Sequence, residues 1–205
     1  MADAPPSNPE GFIQRLLADV WNWCQGRMWI VRAPLLAYLA YVGVRQFLSP
    51  LEYNSIFGGI NLGIHEGGHL LFHFAGEFVC VAGGTIAQLS APVIAMFGLL
   101  KQRDYFGIAF CVGWLSTNLI SVGVYMADAR DQVLPLVTVG GGSGEIIHDW
   151  HYLFTKLGVL AHDKTIGLLT RGLGSGVMLF ALIAGGWMLW EMFRSESKRV
   201  IKTRE

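Results

Sequence analysis

The chain has 205 residues, enough for one sizeable domain, and 53% of its side chains are apolar against 15% charged, with 26 glycines. A soluble domain carries roughly 25% charged residues, so this deficit and a mean hydropathy of +0.44 argue against a soluble globular protein and for an all-α, polytopic membrane helix bundle, where glycine is also commoner. Lys+Arg and Asp+Glu number 15 each, a balance that gives no support to nucleic-acid binding, which needs a basic patch.

Residues 1–10 are polar and Pro-rich and are expected to be loosely held, without the basic start and apolar core of a cleavable signal peptide. From Gly11 to Gly26, Phe12, Leu16, Leu17, Val20, Trp21 and Trp23 suit an amphipathic interfacial helix or a helical start to the first span. Met28 to Leu48 is the first expected transmembrane helix, about the 20 residues that a bilayer core requires, closed by Ser49-Pro50. Asn54 to Phe78 is the second. Val79 to Leu100 is apolar but interrupted by Gly83-Gly84 and Pro92. It reads either as a third span or as a re-entrant loop followed by a short helix, with the Gly-rich segment 83–90 offering a strand edge to an extended substrate. Tyr105 to Ala127 is a further span with Trp114, Ser116, Thr117 and Asn118 as polar interior. Val133 to Val139 is too short to cross, and the glycines from Gly140 to Gly144 make a flexible loop. Glu145 to Val159 reads as a helix, and Thr165 to Phe193 as the last span, with Asp163 as an N-cap. The expected bundle has about four to six transmembrane helices. It divides into an N-terminal tail and interfacial helix (1–27), a membrane-embedded domain (28–194) and a basic tail (195–205), which positive-inside counting puts in the cytoplasm. Cys24, Cys80 and Cys111 form no C-x-x-C pair and read as buried apolar residues.

The chemistry concentrates in His65-Glu66-Gly67-Gly68-His69. Residues four apart share one helix face, so His65 and His69 can turn both imidazoles toward one point and make half of a zinc site, with Glu66 placed as general base. Three ionisable side chains within one turn of an apolar helix are costly to bury without a function. Zinc needs a third protein ligand, and His148-Asp149-Trp150-His151 is the place to seek it. Adjacent residues point about 100° apart on a helix, so one of His148 and Asp149 is expected to ligate and the other to orient a partner. Asp128 is the alternative ligand. His73, one turn beyond His69, is expected to lie behind the ligands, and Asn118 to hold a substrate backbone or pack helices. The chemistry such a set supports is metal-assisted hydrolysis with one Zn2+ per chain.

The HEGGH segment in an apolar helix, the following Gly83-Gly84 and the late acidic residue resemble the M50 (site-2 protease) class of intramembrane zinc metalloproteases, in particular its compact bacterial M50B-like members. The resemblance covers roughly residues 54–155. In that class the third ligand is an Asp in a Leu-Asp-Gly motif, which this chain lacks; His148-Asp149-Trp150 is the nearest equivalent. The resemblance implies hydrolysis of membrane-embedded or membrane-adjacent proteins or peptides, in the bilayer of a bacterial inner membrane. The alternative is a non-catalytic membrane protein that binds a metal or a partner on the same fold, against which the intact Glu66 speaks.

Overall fold

The computed structural model describes residues 11–49, 55–135 and 148–202. Among these the chain forms seven α-helices and no strand, an all-α bundle: α1 (Phe12–Cys24), α2 (Ala33–Leu48), α3 (Ile56–Phe72), α4 (Glu77–Lys101), α5 (Tyr105–Ala127), α6 (Asp149–Lys156) and α7 (Asp163–Lys202). Three stretches are long and apolar enough to cross a membrane: α4, α5 and Leu160–Lys198, which takes in most of α7. The expected glycine loop at 140–144 and the N-terminal tail 1–10 lie outside the described residues.

The frame is the antiparallel pair α5 and α7. Small residues let the two backbones meet: a Cβ on Gly167 would stand 2.5 Å from the Gly123 carbonyl oxygen, and one on Gly123 2.7 Å from that of Gly167. The hydroxyl of Ser116 donates to the Gly174 carbonyl at 2.6 Å across the same seam. Such close approach is the usual means of association between helices in a medium as apolar as their side chains. One end of the pair is tied by Arg130 Nη2 on the fully buried Asp163 carboxylate at 2.7 Å. At the other end Phe106, Ala109, Met188 and Met192 form an apolar cluster with Cys24. There α1 docks, Trp21 Nε1 donating to Glu191 at 3.1 Å. Its Phe12, Ile13, Leu16 and Leu17 remain exposed.

Helix bounds depart from the sequence reading at identifiable residues. The first apolar stretch becomes helical only at Ala33, because Pro34 sits in the first turn, where its missing N–H costs nothing. The second stops at Phe72, and a 3-10 turn (His73–Ala75) leads to Gly76 at φ 90°, a conformation glycine adopts without strain. The expected helix from Glu145 to Val159 is described as Asp149–Lys156, ended by Gly158 at φ 70°. At 79–100 the structure decides between the two alternatives: the segment is one unbroken helix, α4, long and apolar enough to span, not a re-entrant loop, and 83–90 offers no strand edge because its backbone is helical. Its glycines serve packing instead: a Cβ on Gly68 of α3 would lie 2.3 Å from the Gly83 carbonyl oxygen. Pro92 is buried within the same helix.

Overpacking a close seam costs about 1–3 kcal/mol. Gly167→Ala is therefore expected to lower the thermal midpoint of the detergent-solubilised protein, whereas Gly176→Ala, with nothing within 4 Å of its added methyl, should leave it unchanged or raised. Equal midpoints for the two variants would show that the α5–α7 seam is not close-packed.

Candidate metal centre

α3 carries His65 and His69 on the face turned to α4, their ring centroids 4.7 Å apart. α4 answers with glycine. A Cβ at residue 84 would lie 2.6 Å from Nε2 of both His65 and His69, so the space between the imidazoles is open only because no side chain stands there. From α6, Asp149 reaches into the same space: its Oδ2 is 2.8 Å from His65 Nε2 and 3.3 Å from His69 Nε2. Glu66 is half-buried beside them, and ligand atoms of His65, Glu66 and His69 all lie within 4.8 Å of one another.

The hydrogen-bond partners determine where the imidazole protons are. His69 Nδ1 is 2.9 Å from the Cys80 carbonyl oxygen. A carbonyl can only accept, so Nδ1 carries a hydrogen and Nε2 is the nitrogen turned to Asp149. For His65 the same result follows through a chain of amides. The Gln88 carbonyl accepts from Asn118 Nδ2 at 3.2 Å. Asn118 therefore turns Oδ1 to the Gln88 side chain, which donates through Nε2 at 3.1 Å. Gln88 is left with Oε1 facing His65 Nδ1 at 3.0 Å, so that nitrogen is the donor and His65 Nε2 is turned to Asp149. Two imidazole Nε2 atoms thus converge on one carboxylate oxygen. Such an arrangement needs a positive charge at its centre, a shared proton or a metal cation.

Asp149 is delivered by a second polar cluster. Its backbone N–H donates to the Tyr125 hydroxyl at 3.1 Å. His148, the residue before it, faces the other way: Nε2 lies 3.4 Å from Asp128, and Nδ1 accepts the His151 N–H at 3.2 Å. Asp128 also caps the chain leaving α5, accepting from the N–H groups of Val133 and Leu134. Burial pushes the His148 imidazole below its ordinary pKa, against the pull of Asp128, which keeps it neutral near pH 7. Burial alone would raise the Asp149 carboxyl, but the hydrogen bonds to His65 and His69 bring it below its usual value, so it is ionised.

Of the residues singled out in the sequence, the structure brings together His65, Glu66, His69 and Asp149. His148 and Asp128 pair with each other, apart from the three converging atoms. His73 donates from Nδ1 to the Leu70 carbonyl on the exposed side of the turn. Asn118, expected to hold substrate or pack helices, is fully buried and spends its amide on Gln88. Gly84, the Cys80 carbonyl and Tyr125 are participants that the pattern of metal-ligand residue types does not reveal. For Gly84 and Gln88 a signal exists, since they are four apart and so share one face of α4. Comparison with protein-family models, with curated proteins and with solved structures returns no match.

The donor set fits zinc: two neutral imidazole nitrogens and one carboxylate are a ligand set of catalytic zinc sites. Gly84→Ala is accordingly expected to keep the helical content of the protein, since alanine is the better helix former, and to abolish zinc uptake. Circular dichroism and metal analysis of the purified variant check this; full zinc occupancy in Gly84→Ala would show that the space beside residue 84 is not the ion's.

Proposed function

We propose that the protein is a membrane-embedded zinc endopeptidase that hydrolyses peptide bonds of membrane-embedded or membrane-adjacent proteins, of the kind that the resemblance to site-2 proteases implies. Its place would be a bacterial inner membrane, as a multi-pass protein. The observation that carries the reading is the convergence of His65 Nε2, His69 Nε2 and Asp149 Oδ2 on a space kept free by Gly84.

Those three atoms would hold the ion. Zinc bound there supplies Lewis acidity, polarising a carbonyl oxygen and acidifying water. The remaining work belongs to the chain. Glu66, on the same helical turn as the two histidines, takes the proton that water loses as it attacks the scissile carbonyl carbon. Its carboxyl then delivers that proton to the amide nitrogen as the C–N bond breaks, so the amine leaves neutral. A protein that only bound a metal would not need a base here, so the intact Glu66 supports the hydrolase reading over the metal-binding one. Two carboxylates at the centre, those of Asp149 and Glu66, match the charge of a divalent ion, as a site among apolar helices requires. The motif turn also presents Leu70, Leu71 and Phe74 outward, an apolar approach suited to a substrate segment that itself lies in or at the membrane.

Metal analysis of detergent-purified protein tests the reading. Wild type is expected to hold one zinc, and His65→Ala, His69→Ala and Asp149→Ala to hold none. Glu66→Gln should keep the ion and lose roughly 10²–10⁴-fold in peptide hydrolysis, measured on a reconstituted membrane-peptide substrate. A zinc-free wild type after metal-replete expression would sink the proposal. Unchanged hydrolysis in Glu66→Gln would leave a metal site with another role.

A further inference from the structure

We infer that Asn118 and Gln88 are positioning residues for the metal centre, acting as a two-amide relay that locks the His65 imidazole with its Nδ1 hydrogen on Gln88 and Nε2 left to the ion. The inference rests on the zinc reading above and extends it to two residues that touch neither ion nor substrate.

The relay begins at a backbone position made for it. In a continuous α-helix the carbonyl of residue 88 accepts from the N–H of residue 92. Residue 92 is proline, which has no N–H. The Gln88 carbonyl is therefore released, and Asn118 Nδ2 of α5 takes it at 3.2 Å. A membrane helix tolerates an internal proline where a neighbouring helix satisfies the freed group in this way. With its Nδ2 committed to an obligate acceptor, Asn118 has one orientation, and Oδ1 must face Gln88 Nε2. Gln88 is then oriented in turn, and Oε1 must face His65 Nδ1. An isolated glutamine amide could flip and present its NH2 to the imidazole. That flip would move the histidine hydrogen to Nε2 and remove a ligand lone pair. The clamp at Asn118 forbids it. Gln88 is 7% exposed and Asn118 not at all, so water does not compete for these bonds. His69 needs no such device, because its Nδ1 partner is the Cys80 carbonyl, which cannot reverse its polarity.

Partners behind metal-ligating histidines typically carry about 10–100-fold in metal affinity. Zinc affinity of the full-length protein in detergent, by competition with a chelator of known affinity, should fall by about that factor in Gln88→Met. Asn118→Leu should fall about 10-fold. The double variant should be no weaker than Gln88→Met alone, because Asn118 acts through Gln88. Gln88→Glu, which keeps an oxygen toward His65 Nδ1, should bind at or above the wild-type affinity. A merely structural role predicts none of this rescue or non-additivity. If wild type binds zinc and Gln88→Met binds as tightly, the relay is overturned and the zinc site stands. If wild type binds none, both fall. Should the variants fail to fold, the His65 tautomer of metal-free wild type, read from histidine ring carbon and nitrogen shifts, decides alone: hydrogen on Nδ1 sustains the relay, and hydrogen on Nε2 overturns it.

Discussion

Two imidazole nitrogens and one carboxylate oxygen that face one another are the constraint around which this protein is arranged. Unpaired, such a cluster is among the least favourable things a chain can bury. Here each member is held in place from behind. A backbone carbonyl fixes His69, an amide side chain fixes His65, and the Tyr125 hydroxyl receives the N–H of Asp149. The supports come from α4 and α5, two of the helices long and apolar enough to cross a membrane, so the rigidity of the frame is delivered directly to the two histidines and Asp149. α3, the helix that carries the histidines, is only 17 residues long and owes its position to contact with α4.

The packing between helices serves the same end. Glycine is poor in helix interiors by roughly 1 kcal/mol relative to alanine, yet α3 and α4 carry several where they touch. Gly68 and Gly83 bring the two backbones together, and Gly84, the next residue, uses that proximity to leave a hollow bounded by imidazole nitrogens. Stability given up in local propensity is recovered as close contact between helices. The close contact in turn sets the width of the hollow.

Much of this was legible in the sequence, and the rest was hidden for physical reasons. The spacing of His65 and His69 placed both on one face because helix periodicity is local. The all-α architecture followed from composition and apolar run length. The third donor was narrowed to His148 or Asp149, with Asp128 as the alternative, but choosing among them needed tertiary contacts: His148 and Asp128 turn to each other and Asp149 to the histidines. At 79–100 a span and a re-entrant loop were both open, and tertiary contact decided for the span. Gly83, Gly84 and Pro92 are helix breakers by intrinsic preference. In α4 their lack of side chain and of N–H is what the neighbouring helices use. Local preference was overruled by tertiary contact at the very positions that build the centre.

The third donor also has a bearing on how the chain folds. His65 and Asp149 are 84 positions apart, whereas His65 and His69 belong to one turn. Any ion gripped by all three closes a long loop, and in doing so acts as a reversible cross-link. Closing a loop of about this length restricts the unfolded ensemble by roughly 4–5 kcal/mol in the chain-entropy treatment used for disulfides. The two-histidine half can exist as soon as α3 forms, before α5, α6 and α7 have been made. The centre becomes complete only when nearly three quarters of the chain is in place, whereas the docking of α1 on α7, between residues 170 positions apart, must wait for the rest.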